Sequence, residues 1–330
     1  MKYEIGCVSR RNIYRQKFYR ISQSELYDHV GKRNCARAVE AAAQTVFTIC
    51  AFFAVFAVVF ITLYMFANGV PAFYKIGIKE ILFSAVWKPT ADEPSFGIFY
   101  IILTSVAGTA MAILIGVPIA LLTAIFLAEV APKRLASVVR PAVEILAGIP
   151  SVVYGLLGMM ILNPVMYRWE LRIFRESVTH QFTGGANLLS AVLVLAIMIL
   201  PTVVSISETS LRAVPPQLKS SSLALGASRI QTIFKVIVPA AKPGIVTAIV
   251  LGVGRAIGEA MAISLVSGNS VHFPLPFVSV RFLTTAIVSE MGYAGGAHRQ
   301  VLFAIGLVLF VFIMLINFIM NAVLRRGIEA

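Results

Sequence analysis

Long apolar runs alternate with short polar intervals through most of the chain. Runs of about 20 residues, the length that crosses a hydrocarbon core, fall at 45–67, 99–127, 142–166, 188–207, 244–266 and 301–324. The pattern predicts an all-α membrane protein with six transmembrane helices, a separate basic arm at 1–44 and a spanning domain at 45–330. With six spans, both chain ends lie on one side. The interval 68–96 is moderately apolar and carries Trp87-Lys88-Pro89 and Asp92-Glu93-Pro94, which predicts a short surface helix and a turn.

Within the polar interval 208–243, the stretch 215–239 has its own helix punctuation. Pro215 and Pro216 suit a first turn, where a missing N–H costs little, and Gly226 can take the left-handed conformation that ends a helix. Ser228 and Gln231 have capping-box spacing. Ile230, Ile233, Phe234 and Ile237 then give an apolar stripe, and Pro239 closes a second helix. The pattern predicts a helix-turn-helix outside the membrane.

Composition agrees with the bilayer reading. The chain of 330 residues is 58% hydrophobic with a mean hydropathy of +0.87, too apolar for a soluble domain of this size. Its net charge of +13 comes from Lys and Arg flanking apolar runs, with no separate basic face interleaved with aromatics. Anionic lipid is therefore the expected counter-charge, and nucleic acid is not. Basic residues set the orientation. The arm holds nine Lys or Arg against four acids, and with Lys133, Arg134, Arg140, Arg212, Lys219, Arg229, Lys235, Lys242, Arg325 and Arg326 they outnumber the rest about two to one. Both termini are thus expected in the cytoplasm; Arg168, Arg172 and Arg175 dissent from that rule. Trp87 and Trp169 are expected beside spans on the outer side.

Two spans carry candidate chemistry. In the fifth, Arg255 lies mid-span and Glu259 falls one helical turn further on the same face. Charges at that depth mark a site unless they only pair to pack helices, and both readings stand on the residues alone. Gly254 and Gly258 make a GxxxG step that admits a neighbouring helix. In the third, Pro150 disturbs the helix, and Ser151 or nearby groups can satisfy the freed carbonyls beside a cavity. A kink used only for packing is the alternative.

These motifs together resemble the membrane-spanning permeases of binding-protein-dependent ABC importers. Their cytoplasmic loop reads Glu-Ala-Ala, three residues, Gly, nine residues, then aliphatic, any residue, aliphatic and Pro. Here Leu225-Gly226-Ala227, Val236, Val238 and Pro239 match, with Ala224 just before them, while Ser220-Ser221-Ser222 stand in place of Glu-Ala-Ala. Arg255-Ala-Ile-Gly-Glu259, and Ala-Gly-Ile-Pro150-Ser151-Val-Val-Tyr154-Gly, resemble phosphate-importer permeases. Ser289-Glu-Met-Gly292 with His298, and the run 302–310, are closer to the PstC-type subunit than to its PstA-type partner.

The resemblance implies the six-helix type I importer fold and a translocation pathway along Arg255, Glu259, Pro150, Ser151 and Tyr154. It also implies a coupling loop at 208–243 and, as partners, a second homologous permease, two ATPase subunits and an extracytoplasmic phosphate-binding protein. A carboxylate at Glu259 suits phosphate, which keeps a proton to donate near neutral pH, and repels sulfate, which has none. The rivals are a permease for another oxyanion, such as sulfate or molybdate, and a channel or ion-coupled carrier that acts alone.

Enzymatic chemistry has little support. The chain has no GxxxxGK[ST] loop, so ATP hydrolysis belongs to a separate subunit. His29, His180, His272 and His298 lack metal-site spacing and are expected to be solvated. Cys7, Cys35 and Cys50 imply neither a disulfide framework nor a zinc site. No cofactor or metal is expected in this chain.

Overall fold

The structure is a computed structural model that describes the backbone of residues 5–177 and 180–328 and the side chains of 40–177, 180–319 and 322. The arm's basic residues, Cys7, Cys35, His29, Arg325 and Arg326 therefore lie outside the described side chains. The chain divides into two units, Met1–Tyr64 and Met65–Ala330.

Helix α1 (Ile5–Ile76) begins in the first unit. There Phe47, Phe52, Phe53, Phe56 and Phe60 are all exposed, as suits a helix bathed in lipid. In the second unit α1 ends at Ile76, so residues 68–76 extend the first span. The expected surface helix and turn follow as α2 (Ile78–Phe83) and a two-stranded hairpin, β1 (Trp87–Lys88) with β2 (Ser95–Phe96).

Helix α3 (Phe99–Ile125) runs on through a wide π turn at Phe126–Val130. Next come α4 (Lys133–Gly148), α5 (Ser151–Leu157), a second π turn at Gly158–Leu162 and α6 (Asn163–Ile173). The third span differs from expectation. Proline 150 does not kink one helix: α4 and the helix 151–173 diverge by 97°, so Pro150 separates two elements. Trp169 accordingly sits within α6.

Helix α7 (Leu188–Arg212) is the centre of the bundle. Of its most apolar stretch 61% is buried, against 28% for α3. Small residues make the close packing possible. A Cβ on Gly116 would come within 2.6 Å of Ile199, and one on Gly108 within 2.6 Å of the Phe282 ring, so side chains on these faces would force the helices apart. The start of α7 is fully satisfied: Ser190 N donates to Asn187 Oδ1 (3.0 Å), Leu188 N to Val278 O and Leu189 N to Pro276 O.

The remainder is α8 (Pro216–Ala224), α9 (Arg229–Thr232), a π turn at Ile233–Ile237, α10 (Val238–Ala240), α11 (Lys242–Gly258), α12 (Met261–Val266), α13 (Leu283–Glu290) and α14 (Gly296–Ile328). Among the described residues four helices are long and apolar enough to cross a membrane, and six when each of the two bent pairs counts as one span.

Candidate functional site

The fifth span is broken at its charged residues. Helix α11 ends at Gly258, and Glu259 has extended backbone (φ −73°, ψ 130°) before α12 begins. The expected helical step from Arg255 to Glu259 is therefore absent, and no ion pair joins them among the described residues. Each has another partner. Glu259 Oε1 accepts from Ala262 N (2.9 Å), closing the free amide end of α12, and its carbonyl accepts from Thr284 Oγ1 of α13 (2.7 Å). Arg255, half-buried on α11, donates from Nη1 to Thr202 Oγ1 on α7 at 3.3 Å.

The Pro150 break is mended from the other direction. Leu146 O would take the N–H of residue 150 in a continuing helix, and proline has none. The buried Tyr154 hydroxyl supplies the donor at 2.7 Å, reinforced by a longer 3.3 Å contact from Ile149 N. Of Ser151 and the nearby groups expected to fill this role, Tyr154 does so, and Ser151 begins α5. Tyr154 packs in one buried cluster with Ala256, the residue that follows Arg255. α5 packs against α12, where a Cβ on Gly155 would lie 2.8 Å from Ala262 Cα.

Gly254 and Gly258 meet nothing within 4 Å in this chain. The close approach on α11 is made by Gly252, whose added Cβ would be 2.7 Å from Val203. Within this chain the close packing of α11 falls at Gly252, not at Gly254 or Gly258.

The helix-turn-helix forms at the bundle end where α3 and α7 finish. Pro215 precedes α8, Gly226 turns the chain at φ +84°, and Ser228 and Gln231 make the reciprocal capping box. Ser220 Oγ donates to Gln217 O, and Ser222 shares a hydrogen bond with Thr232 (3.0 Å) across the hairpin. Only half of the expected stripe is buried: Ile233 and Ile237 pack with Ile125, Leu211 and Ile245, whereas Ile230 and Phe234 are exposed. Pro239 does not end the helix. The π turn before it absorbs the lost N–H, and the bend of 69° comes at Ala241. Helix α8 buries nothing, and Leu225 at the tip is 90% exposed.

The hairpin and the broken span lie in a region, residues 116–328, that matches the family of binding-protein-dependent transport system inner membrane components. The chain belongs to this family. Over 299 residues the permease is 39% identical to the probable ABC transporter permease protein YqgH of Bacillus subtilis, covering 88% of this chain and 94% of that one. It is 35% identical to the phosphate transport system permease protein PstC of Pasteurella multocida, covering 73% and 78%. Among solved structures, a bacterial ABC transporter involved in the import of the polysaccharide alginate aligns with a TM-score of 0.57 at 19% identity, over 83% of this chain and 96% of that one. The inward-facing MetNI methionine ABC transporter aligns at 0.51 and 22%, over 68% and 93%. These likenesses show the fold.

At the opposite end of the permease, two histidines expected in solvent are buried against carboxylates. His180 Nε2 lies 2.8 Å from Glu170 Oε1 and stacks on Phe174 at 3.8 Å; Thr183 binds the same carboxylate through N and Oγ1. His298 Nε2 lies 2.8 Å from Glu290 Oε2, and Trp87 Nε1 and Arg281 bind Oε1. His272 is exposed, as expected, and edges a cavity of about 500 Å³ with His180 and Thr183. Spacings of 10 and 8 residues carried no helical signature that could have paired these groups. The described residues hold no cluster suited to a metal ion.

Proposed function

We propose that this permease is one half of the translocation pathway of an ATP-driven phosphate importer, working with a second homologous permease, two ATPase subunits and an extracytoplasmic phosphate-binding protein. Its N- and C-termini face the cytoplasm and the hairpin 215–239 docks the ATPase. The observation that carries the reading is Arg255: a cation in the middle of a span whose described partner is a neutral hydroxyl, with Tyr154 nearby and no carboxylate in ion-pair contact. A charge held this way in a membrane is costly without an anion to meet it. The names of PstC relatives, from Pasteurella multocida to Methanocaldococcus jannaschii at 32% identity over 86% of this chain, support phosphate as that anion. Guanidinium presents a planar fork to two phosphate oxygens. Glu259 spends one oxygen on Ala262 N, and its carboxylate can still accept the proton that hydrogen phosphate carries and sulfate lacks.

Because Arg255 is not paired with Glu259, Arg255→Gln strands no buried carboxylate and is a clean probe. In complexes checked for subunit content, Arg255→Gln lowers phosphate uptake about tenfold or more, the worth of hydrogen bonds between ionised partners, and Arg255→Lys is also impaired. Near-normal uptake by well-assembled Arg255→Gln would remove the pathway role. Stronger inhibition of uptake by sulfate or molybdate than by unlabelled phosphate would move the substrate to another oxyanion.

A further inference from the structure

Polar contacts at the hairpin end link α8, the turn that finishes α3, α7 and α4, beside the apolar packing of Val139 and Val143 on Val203 and Val204. Lys219 on α8 pairs with Glu129, in the π turn that finishes α3. In that turn Ala131 N bonds back to Phe126 O, and the next residue, Pro132, has no N–H, so Leu127 O is left without a backbone donor. Arg212, at the end of α7, fills it from Nη2 at 2.8 Å, and its Nε binds Glu208 Oε1 at 2.9 Å. The same Glu208 oxygen receives Nε of Arg140 from α4 at 2.5 Å. Glu208 is 6% exposed, and its two arginines are partly open to solvent.

The far end of α4 lies at the Pro150 break. There Leu146 O is held by Tyr154, which packs in one buried cluster with Ala256, next to Arg255. The hairpin is thus tied to α3, α3 to α7, α7 to α4, and α4 across a hinge to the pathway residues. Helix α4, 16 residues long, is held at its middle by Arg140 and ends at this hinge, so the pinned point fixes where its far end lies.

We propose that Glu208 is a positioning residue that couples the hairpin to the pathway, by holding α4 through Arg140 so that displacement of α8 is carried to the Leu146–Tyr154 hinge. The carboxylate suits this because it accepts from two guanidinium groups on different helices and keeps those like charges together. Neutralised, it lets them repel, and α4 is loosened at Arg140 while Val139 and Val143 still pack on α7. The proposal rests on the reading that the ATPase docks on the hairpin.

The test uses the complete complex in liposomes, with phosphate-binding protein present, and reads phosphate moved per ATP hydrolysed. Glu208→Gln keeps an oxygen acceptor and nearly the same volume. It is expected to retain the ATPase subunits and continue to hydrolyse ATP while the transport ratio falls at least about fivefold, the lower end of measured couplings between sites. Arg140→Gln, which spares the Glu208–Arg212 pair, is expected to do the same and decides the question if Glu208→Gln fails to assemble. Glu208→Asp should recover part of the ratio. A merely structural role would lower hydrolysis and uptake together with an unchanged ratio, and that result in either assembled variant, or normal coupling in Arg140→Gln, overturns the proposal. If the wild-type permease captures no ATPase, the docking reading has failed instead.

Discussion

Two helices of this permease break within their course, before Pro150 and at Glu259, and the two breaks are repaired at opposite ends of the peptide group. At Pro150 a carbonyl has lost its donor, and a hydroxyl replaces it. At Glu259 an amide has lost its acceptor, and a carboxylate replaces that. The first break follows from covalent structure, because a proline nitrogen cannot donate wherever it is placed. The second has no such cause: Gly258 is followed by neither a proline nor a left-handed residue, and there is open space around it. It is held by Thr284, 25 residues away in sequence, which takes the freed carbonyl of Glu259. A break that the chain must make and a break that a neighbour permits look alike in space and respond differently to substitution.

The largest expected difference is at Tyr154. Tyr154→Phe leaves the Leu146 carbonyl, in the apolar third span where water does not replace a lost donor, with only the 3.3 Å contact from Ile149 N, a cost of about 1–3 kcal/mol, to be seen as a lower thermal unfolding midpoint of the purified complex. An unchanged midpoint would mean the Pro150 break needs no repair. Glu259→Ala comes next, at about 0.5–2 kcal/mol for a lost helix cap. Glu259→Gln should recover most of that stability, since the amide oxygen still accepts from Ala262 N, while transport stays impaired if the negative charge serves the anion. Equal destabilisation by Gln and Ala would show that charge, and not the cap, holds the second break. The smallest effect is expected at Gly258→Ala, within about 0.5 kcal/mol, because an added Cβ meets nothing. A loss well above that would make the glycine itself the cause and erase the contrast with Pro150.

Much of the architecture was legible in the chain. The apolar runs placed the membrane helices, and the run that begins at 188 starts where α7 does. The hairpin was read almost residue by residue: Gly226 turns, Ser228 and Gln231 cap. These are local devices, satisfied within four residues, so their outcome depends little on the rest of the molecule. Pro239 escaped that reading because a π turn one step earlier supplies a register the sequence does not announce. Ile230 and Phe234 escaped it because an apolar stripe says nothing about whether this chain covers it.

The candidate site was only partly legible for the same reason. Arg255 stood out, since a charge inside an apolar run is visible without coordinates, and so did Pro150. The supposed partnership of Arg255 with Glu259 assumed a continuous helix, and the histidines at 180 and 298 were assigned to solvent because their carboxylates lie across loops. By itself, the sequence determined where helices lie, where proline must interrupt one, and which residues turn and cap the hairpin, because those outcomes follow from backbone geometry and burial in an apolar solvent. Only the tertiary structure decided that Glu259 caps a helix, that Arg255 meets Thr202 while Tyr154 packs with its neighbour Ala256, and that Glu208 joins Arg140 to Arg212. Hydrogen bonds and ion pairs go to whichever partner packing brings within about 3 Å, and which helices pack together is settled by close contacts such as Gly116 on Ile199 and Gly252 on Val203, between segments far apart in the chain.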